Sequence, residues 1–109
     1  MNELLSTNIV IDESLKKIGF ELMFCTPEKC ANPDGITAIE LARKLNIETE
    51  IVRKRLRILQ SKGIARAIGI NPKLWKFDDY NFQKMDEDDP VFKLLCDYEG
   101  IDFCKFFEY

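Results

Sequence analysis

Three long cationic side chains stand close together near the middle of this 109-residue chain: Arg53, Lys54 and Arg57. With Glu50 and Ser61 they follow the i, i+3, i+4, i+7 and i+11 spacing of one helix face, so this face is polar and mostly cationic. Arginine and lysine donate hydrogen bonds to guanine edges and to phosphate oxygens. We expect Arg53 and Lys54 to contact base edges in a nucleic-acid groove, and Arg57, one turn further along, to contact a phosphate.

Further candidates for phosphate contacts lie on both sides of this helix. Arg66, Lys73 and Lys76 belong to a predicted β-hairpin with a basic tip. Thr37 and Thr49 stand at predicted helix starts, where hydroxyl and backbone N–H groups can meet an anion. The alternative for the whole set is an ordinary solvated charged surface.

Two charged neighbours have other expected roles. Glu50 could accept a hydrogen bond from a cytosine amino group, but an i,i+4 ion pair with Lys54 is the favoured interpretation. Arg55 points away from the basic face, and we expect it to be structural.

The charge of the chain is divided very unevenly along its length. Residues 36–77 carry ten Lys and Arg against three acids, a local balance of +7 in a chain whose formal net charge is −3. Residues 1–35 have a balance of −3 and residues 78–109 a balance of −7. A basic segment between acidic ends indicates a polyanionic partner for the middle alone.

The composition argues against several kinds of active site. The chain contains no histidine, which excludes catalytic triads and zinc sites that depend on it. No phosphate loop or spaced pair of catalytic acids is evident, so we do not expect an enzyme. The cysteines, Cys25, Cys30, Cys96 and Cys104, lack the tight spacing of common zinc sites. We expect packing thiols with Cys25 and Cys96 on apolar helix faces, and no metal or cofactor; a cysteine-based metal or redox sensor is the alternative.

Local signals predict the elements that would position the basic face. An amphipathic helix runs from about Asn8 or Asp12 to Cys25, with Leu15, Ile18 and Leu22 inward. Thr37 and Glu40 form a capping box at the start of a second helix, in which Leu41, Ala42 and Leu45 face inward. After a turn at 46–49, a third helix covers 50–62 and ends at Gly63, with Val52, Leu56 and Leu59 inward. Two β-prone runs, 64–69 and 74–78, then flank the hairpin tip at 69–74.

The C-terminal part of the sequence, 79–109, is acidic and aromatic. Asp89-Pro90 is a typical helix start, and the following helix is expected to close at Gly100. Its large apolar side chains must pack either on the chain's own core or on a second subunit of a homodimer. These side chains are Phe92, Leu95, Tyr98, Phe103, Phe106, Phe107 and Tyr109.

The segment TAIELARKLNIETEIVRKRLRILQSKGIARAI resembles the helix–turn–helix and first wing strand of winged-helix transcription regulators of the MarR-like and ArsR-like kind. The resemblance implies an α+β, mainly helical fold, with a winged-helix domain over 1–78 and a C-terminal helical extension over 79–109. Within that domain the helix–turn–helix would cover 37–62 and the wing 64–78. It further implies sequence-specific binding of double-stranded DNA, with helix 50–62 in the major groove. Winged helices also dock proteins, so a module that binds an acidic protein partner is the alternative.

The length and hydropathy of the chain set the remaining expectations. A chain of 109 residues with 46% hydrophobic residues suits one domain with a modest core. No stretch approaches the roughly 18 apolar residues of a membrane span, and Met1 to Ile11 lacks the pattern of a signal peptide. We therefore expect a cytoplasmic protein.

Overall fold

The structure, a computed structural model, describes residues 10–24 and 35–97. These residues form an α+β, mainly helical fold with five helices and a two-stranded antiparallel sheet. In chain order the elements are α1 (Glu13–Phe24), α2 (Ala38–Leu45), α3 (Thr49–Ser61), β1 (Ala65–Ile68), β2 (Leu74–Phe77), α4 (Asp79–Gln83) and α5 (Pro90–Leu95). Within this part of the chain, no helix has the length and apolar character needed to cross a membrane.

Helix α1 begins where a side chain can cap it. The Asp12 carboxylate accepts a hydrogen bond from the backbone N–H of Leu15 at 2.9 Å, which satisfies a donor that the first helical turn leaves free. Leu15, Ile18 and Leu22 are buried, as their spacing predicted. The helix thus starts at the later of the two expected positions.

The predicted capping box at the start of α2 is present. Thr37 accepts from the N–H of Glu40, and the Glu40 carboxylate accepts from the N–H of Thr37. At the other end Asn46 adopts a left-handed φ of 56° and turns the chain sharply toward α3. These two ends fix the length of α2.

Helix α3 begins and ends one residue earlier than expected. At its C-terminus the N–H of Gly63 donates to Gln60 and the N–H of Ile64 donates to Leu59, which closes the helix in a Schellman arrangement. Gly63 has a φ of 80°, a conformation that favours glycine. The chain is thereby directed straight into β1.

The hairpin is confirmed to within a residue at each strand end, and it has an additional attachment. β1 pairs with β2 so that Ala65 lies opposite Phe77 and Ile68 opposite Leu74. Ile36, just before α2, forms a further antiparallel bridge with Trp75 through hydrogen bonds of 3.1 and 2.8 Å. This bridge ties the base of the hairpin to the chain segment that leads into α2.

A glycine precedes that bridge for steric reasons. Gly35 has a φ of 145°, and a Cβ at this position would lie 2.8 Å from the carbonyl oxygen of Trp75. A side chain at Gly35 would therefore push the bridge segment at Ile36 away from β2.

Two features after the hairpin differ from expectation. Helix α4 was not predicted; Asp78 caps it, and its Phe82 packs against the rings of Phe77 and Phe92. The final helix was expected to reach Gly100, but α5 ends at Leu95. The expectation was wrong: α5 has a buried stripe of Val91 and Leu95, and Cys96 caps its end.

That stripe connects α5 to the body of the fold. Val91 and Leu95 are fully buried in the same core as α1, α2 and α3. Leu95 lies against Gly19 of α1, where a Cβ would be 2.4 Å from its Cδ2. Helix α5 thus packs on the chain's own core. The packing expected for the last aromatic side chains concerns residues that the structure does not describe. These are Tyr98, Phe103, Phe106, Phe107 and Tyr109.

The core itself consists of the inward stripes expected from the sequence. Leu41 and Ala42 of α2 and the apolar stripe of α3 are buried, and Leu45 is half-buried against them. The hairpin contributes Ala65 and Trp75. As α3 buries its apolar stripe, its opposite face is left to solvent.

Candidate functional site

A groove of about 420 Å³ lies between the start of α2, the exposed face of α3 and the tip of the hairpin. The start of α2 forms one wall, α3 the second and the hairpin the third. Residues from these walls are Thr37, Ala38 and Ile39; Arg53, Arg57 and Gln60; and Ile70, Asn71, Pro72, Lys73 and Trp75.

The charged side chains that line the groove are cations. Among the residues that the structure describes, the lining includes Arg53, Arg57 and Lys73 and no acidic residue. The Lys73 ammonium lies 5.8 Å from the centre of the Trp75 ring, within the range of a cation–π contact. Between the cations the lining is mixed: Ala38, Ile39, Ile70, Pro72 and Trp75 are apolar and Thr37, Gln60 and Asn71 are polar. The groove can therefore take a ligand that carries negative charge and has both polar and apolar surface.

The structure brings four of the predicted site residues together and leaves four outside. Thr37, Arg53, Arg57 and Lys73 line the groove. Thr49, Lys54, Arg66 and Lys76 lie elsewhere; of these, Lys54, Arg66 and Lys76 are exposed and Thr49 is half-buried. The groove therefore contains Arg53, which we expect to contact a base edge. It also contains Thr37, Arg57 and Lys73, which we expect to contact phosphates.

The two threonines are placed differently from each other. The Thr37 hydroxyl is engaged in the capping box, where it lies 3.1 Å from the N–H of Glu40 and 3.2 Å from its carboxylate. Thr49 is the first helical residue of α3, and Glu48, the residue before it, makes no side-chain capping hydrogen bond. Donors in the first turn of a helix that lacks such a cap are available to a ligand.

The expected ion pair between Glu50 and Lys54 is not the one found. Glu50 lies 3.7 Å from Arg53, an i,i+3 pair, and both side chains are exposed. The shorter separation along the helix allows the guanidinium to reach back over one turn. Glu50 thus lies beside a groove cation.

Arg66 is also near an acid. Its Nε lies 3.7 Å from the carboxylate of Asp78, which at the same time caps α4. Cross-strand pairing places Arg66 opposite Lys76, so Asp78 offsets part of the repulsion between two neighbouring cations.

Arg55 has the structural role expected of it. Its guanidinium donates to both carboxylate oxygens of Asp12 at 3.1 and 2.7 Å, and Asp12 is the residue that caps α1. The hydrogen bond from Arg55 is the main reason that the pKa of Asp12 lies below its usual value. One carboxylate thus starts α1 and ties it to α3.

A second cation of the basic segment is anchored in the same way. The Lys62 ammonium lies 2.9 Å from the carboxylate of Asp89, and Asp89 accepts from the N–H of Val91 at the start of α5. Burial acts to raise the pKa of Asp89, but the hydrogen bonds from Lys62 and Val91 outweigh it, and the pKa lies below its usual value. Sequence reasoning missed this pair and included Lys62 only in the charge count of residues 36–77.

The expectation that Cys96 packs on an apolar helix face was wrong. Cys96 follows the last residue of α5 and is exposed, although partial burial of the thiol raises its pKa. Cys25, Cys30 and Cys104 lie outside the described residues. Within 10–24 and 35–97, no cluster of three or more His, Cys, Asp or Glu side chains could hold a metal ion.

Comparison of the chain with protein-family models, with curated proteins and with solved structures gave no match.

Proposed function

We propose that this chain is a winged helix-turn-helix protein that binds double-stranded DNA in a sequence-specific manner and regulates transcription. The observation that carries the proposal is the groove between α3 and the hairpin. Arg53, Arg57 and Lys73 line it, and no acidic residue of 10–24 or 35–97 does. The order of elements from α1 to β2 is compatible with a winged helix, with the hairpin as the wing. In this proposal residues 1–78 form the winged-helix domain and 79–109 the extension.

The proposed contacts follow from the exposed positions of the cations. Helix α3 enters the major groove, where Arg53 and Lys54 donate to base edges. Arg57 and Lys73 hold a phosphate strand between them in the groove. Arg66 and Lys76 on the hairpin add more distant phosphate contacts, and the helix starts at Thr37 and Thr49 contribute backbone donors.

The protein acts in this proposal as a cytoplasmic homodimer, because regulators that read two-fold symmetric sites need two copies of the reading helix. The C-terminal extension is the proposed place of contact. Its described part packs on α1 in the same chain. The chain carries out no catalysis in this role.

A second candidate is a module that docks an acidic protein segment. It is favoured by the apolar side chains beside the groove cations, since Ile39 and Ile70 both line the groove and are exposed. An acidic peptide with one apolar anchor would suit that combination.

Selection of binding sites from a random pool of duplexes tests the proposed function and separates the two candidates. We expect the 109-residue protein to enrich one sequence, and to bind it roughly a thousandfold more tightly than unrelated duplex. The affinity should fall steeply with salt, because bound phosphates release counterions. A pool without enrichment, together with salt-dependent binding of an acidic peptide, would favour the docking module instead.

A further inference from the structure

The tip of the hairpin presents a large apolar side chain to solvent. Ile70 is 91% exposed and stands between Gly69 and Asn71 at the turn. The other exposed isoleucines near the groove, Ile39 and Ile68, are 47% and 41% exposed. An isolated exposed isoleucine is common on proteins. Ile70 differs because it lies at the apex of a hairpin and lines a groove that contains three cations.

The hairpin supports this tip firmly. Leu74 and Trp75, the first residues of β2, are buried, and Trp75 exchanges two backbone hydrogen bonds with Ile36. β1 follows α3 directly through the closed turn at Gly63. The base of the hairpin is therefore fixed relative to α3 by the core, and the exposed tip with Ile70 extends from this anchored base.

The groove determines which side of a duplex the tip would meet. In the proposed function Arg57 on α3 and Lys73 on the hairpin lie on opposite walls and hold one sugar–phosphate strand between them. A sugar–phosphate strand separates the major groove of DNA from the minor groove. If α3 lies in the major groove, the hairpin tip on the far side of that strand must lie in the minor groove.

We propose that Ile70 is a wedge that enters a base step from the minor groove, partly unstacks it and bends the duplex away from the hairpin. This inference rests on the proposed function. It adds how the hairpin tip contacts the DNA and which kind of base step the bound duplex contains. Apolar side chains inserted in this way bend DNA by roughly 20–90°. Pyrimidine–purine steps unstack most easily, so the bound site contains such a step where the tip falls. Asn71, next to Ile70, supplies an amide for the edges of the bases there.

The bend can be measured on the full chain with the duplex that the selection yields. Fluorescent dyes at both ends of the duplex report its end-to-end distance, and 2-aminopurine placed at the base step brightens when the step unstacks. We expect binding to shorten the distance and to raise the 2-aminopurine signal. Ile70→Ala should lose both changes while keeping its affinity within roughly tenfold, because the contacts of the cations remain. Ile70→Met should retain both.

Ile68→Ala is the matched control, since Ile68 is an exposed isoleucine of the same hairpin that does not line the groove. It should bend the duplex as the natural protein does. Tight binding to a straight duplex, or bending by Ile70→Ala equal to that of the natural protein, would overturn the wedge and leave the proposed function standing. Failure to bind any duplex would overturn both.

Discussion

Arg55 and Arg57 lie two residues apart on α3, yet they belong to two regions with different surroundings. Arg57 lines the groove, where no acid from the described part of the chain is present. Arg55 donates two hydrogen bonds to Asp12 and so joins α3 to the start of α1. A count of basic residues therefore overstates the charge available to a partner. Arg55 reaches the aspartate that caps α1 and joins two helices, whereas Arg57 lies on a wall of the groove.

The same division extends through the basic segment. The anchoring region comprises Arg55 with Asp12 and Lys62 with Asp89, and its two aspartates each cap a helix as well. The groove region comprises Arg53, Arg57 and Lys73. We expect substitutions in the groove region to change binding and substitutions in the anchoring region to change stability.

The largest effect should come from reversing two groove charges. Arg53→Glu combined with Arg57→Glu removes two donors and adds two negative charges beside a phosphate strand. We expect duplex affinity to fall by roughly a hundredfold or more, with little change in the free energy of unfolding because both side chains are exposed. Fluorescence anisotropy and urea unfolding measure the two quantities.

Lys17→Glu combined with Lys93→Glu is the matched control for that change. Both lysines are exposed and neither lines the groove, so the pair alters net charge equally. If the control lowers affinity as much as the groove pair does, total charge and not the groove governs binding.

Asp12→Ala should have the largest effect in the anchoring region. It removes the cap of α1 and leaves the Arg55 guanidinium without its carboxylate. We expect a loss of about 2–3 kcal/mol in the free energy of unfolding. Glu87→Ala, at an exposed acid, should change it by less than about 0.5 kcal/mol. Equal effects of the two substitutions, measured by urea unfolding, would contradict the anchoring role.

Lower pH should remove the stabilisation that the charged Asp12 carboxylate provides. The pKa of Asp12 is lowered in the folded protein, so its stabilisation is fully present above the unfolded pKa of about 3.9 and is lost as the pH falls through the folded value. Asp12→Asn keeps a capping oxygen but not the charge. We expect it to be less stable than the natural protein by about 1 kcal/mol at neutral pH, and by clearly less near pH 3. A difference that stayed constant over this range would refute the charge-based account.

The smallest expected effect concerns the salt dependence of binding. Lys73→Ala removes one proposed phosphate contact, so the slope of log affinity against log salt should become shallower by about 0.9. All sequences should be weakened about equally, since a phosphate contact carries no sequence information. Lys84→Ala, outside the groove, should leave the slope unchanged; titrations at several salt concentrations distinguish the two.

Local signals in the sequence predicted most of the element ends. The capping box of Thr37 and Glu40, the closing Gly63 and the two β-prone runs each act within a few residues, so they can be recognised without the fold. Helix α4 escaped prediction because its five residues bury no side chain and show no apolar period.

Long-range contacts account for what sequence reasoning missed. Arg55 and Asp12 are 43 residues apart and Lys62 and Asp89 are 27 apart, so nothing local indicates that either pair meets. The sequence allowed Asp89 to be recognised as the start of a helix. It did not indicate that the second carboxylate oxygen of Asp89 would accept a hydrogen bond from a lysine. The apolar part of the groove, with Ile39 and Ile70, likewise depends on the hairpin folding back toward α2.

The most direct test of the division between the two regions compares Arg57→Ala with Arg55→Ala. Duplex affinity and the free energy of unfolding are measured for both, at a temperature where each is folded. We predict that Arg57→Ala weakens duplex binding by about tenfold and leaves stability unchanged, because it loses one charged contact. Arg55→Ala should lower stability and leave affinity within about twofold. Equal losses of affinity in the two variants would contradict the account.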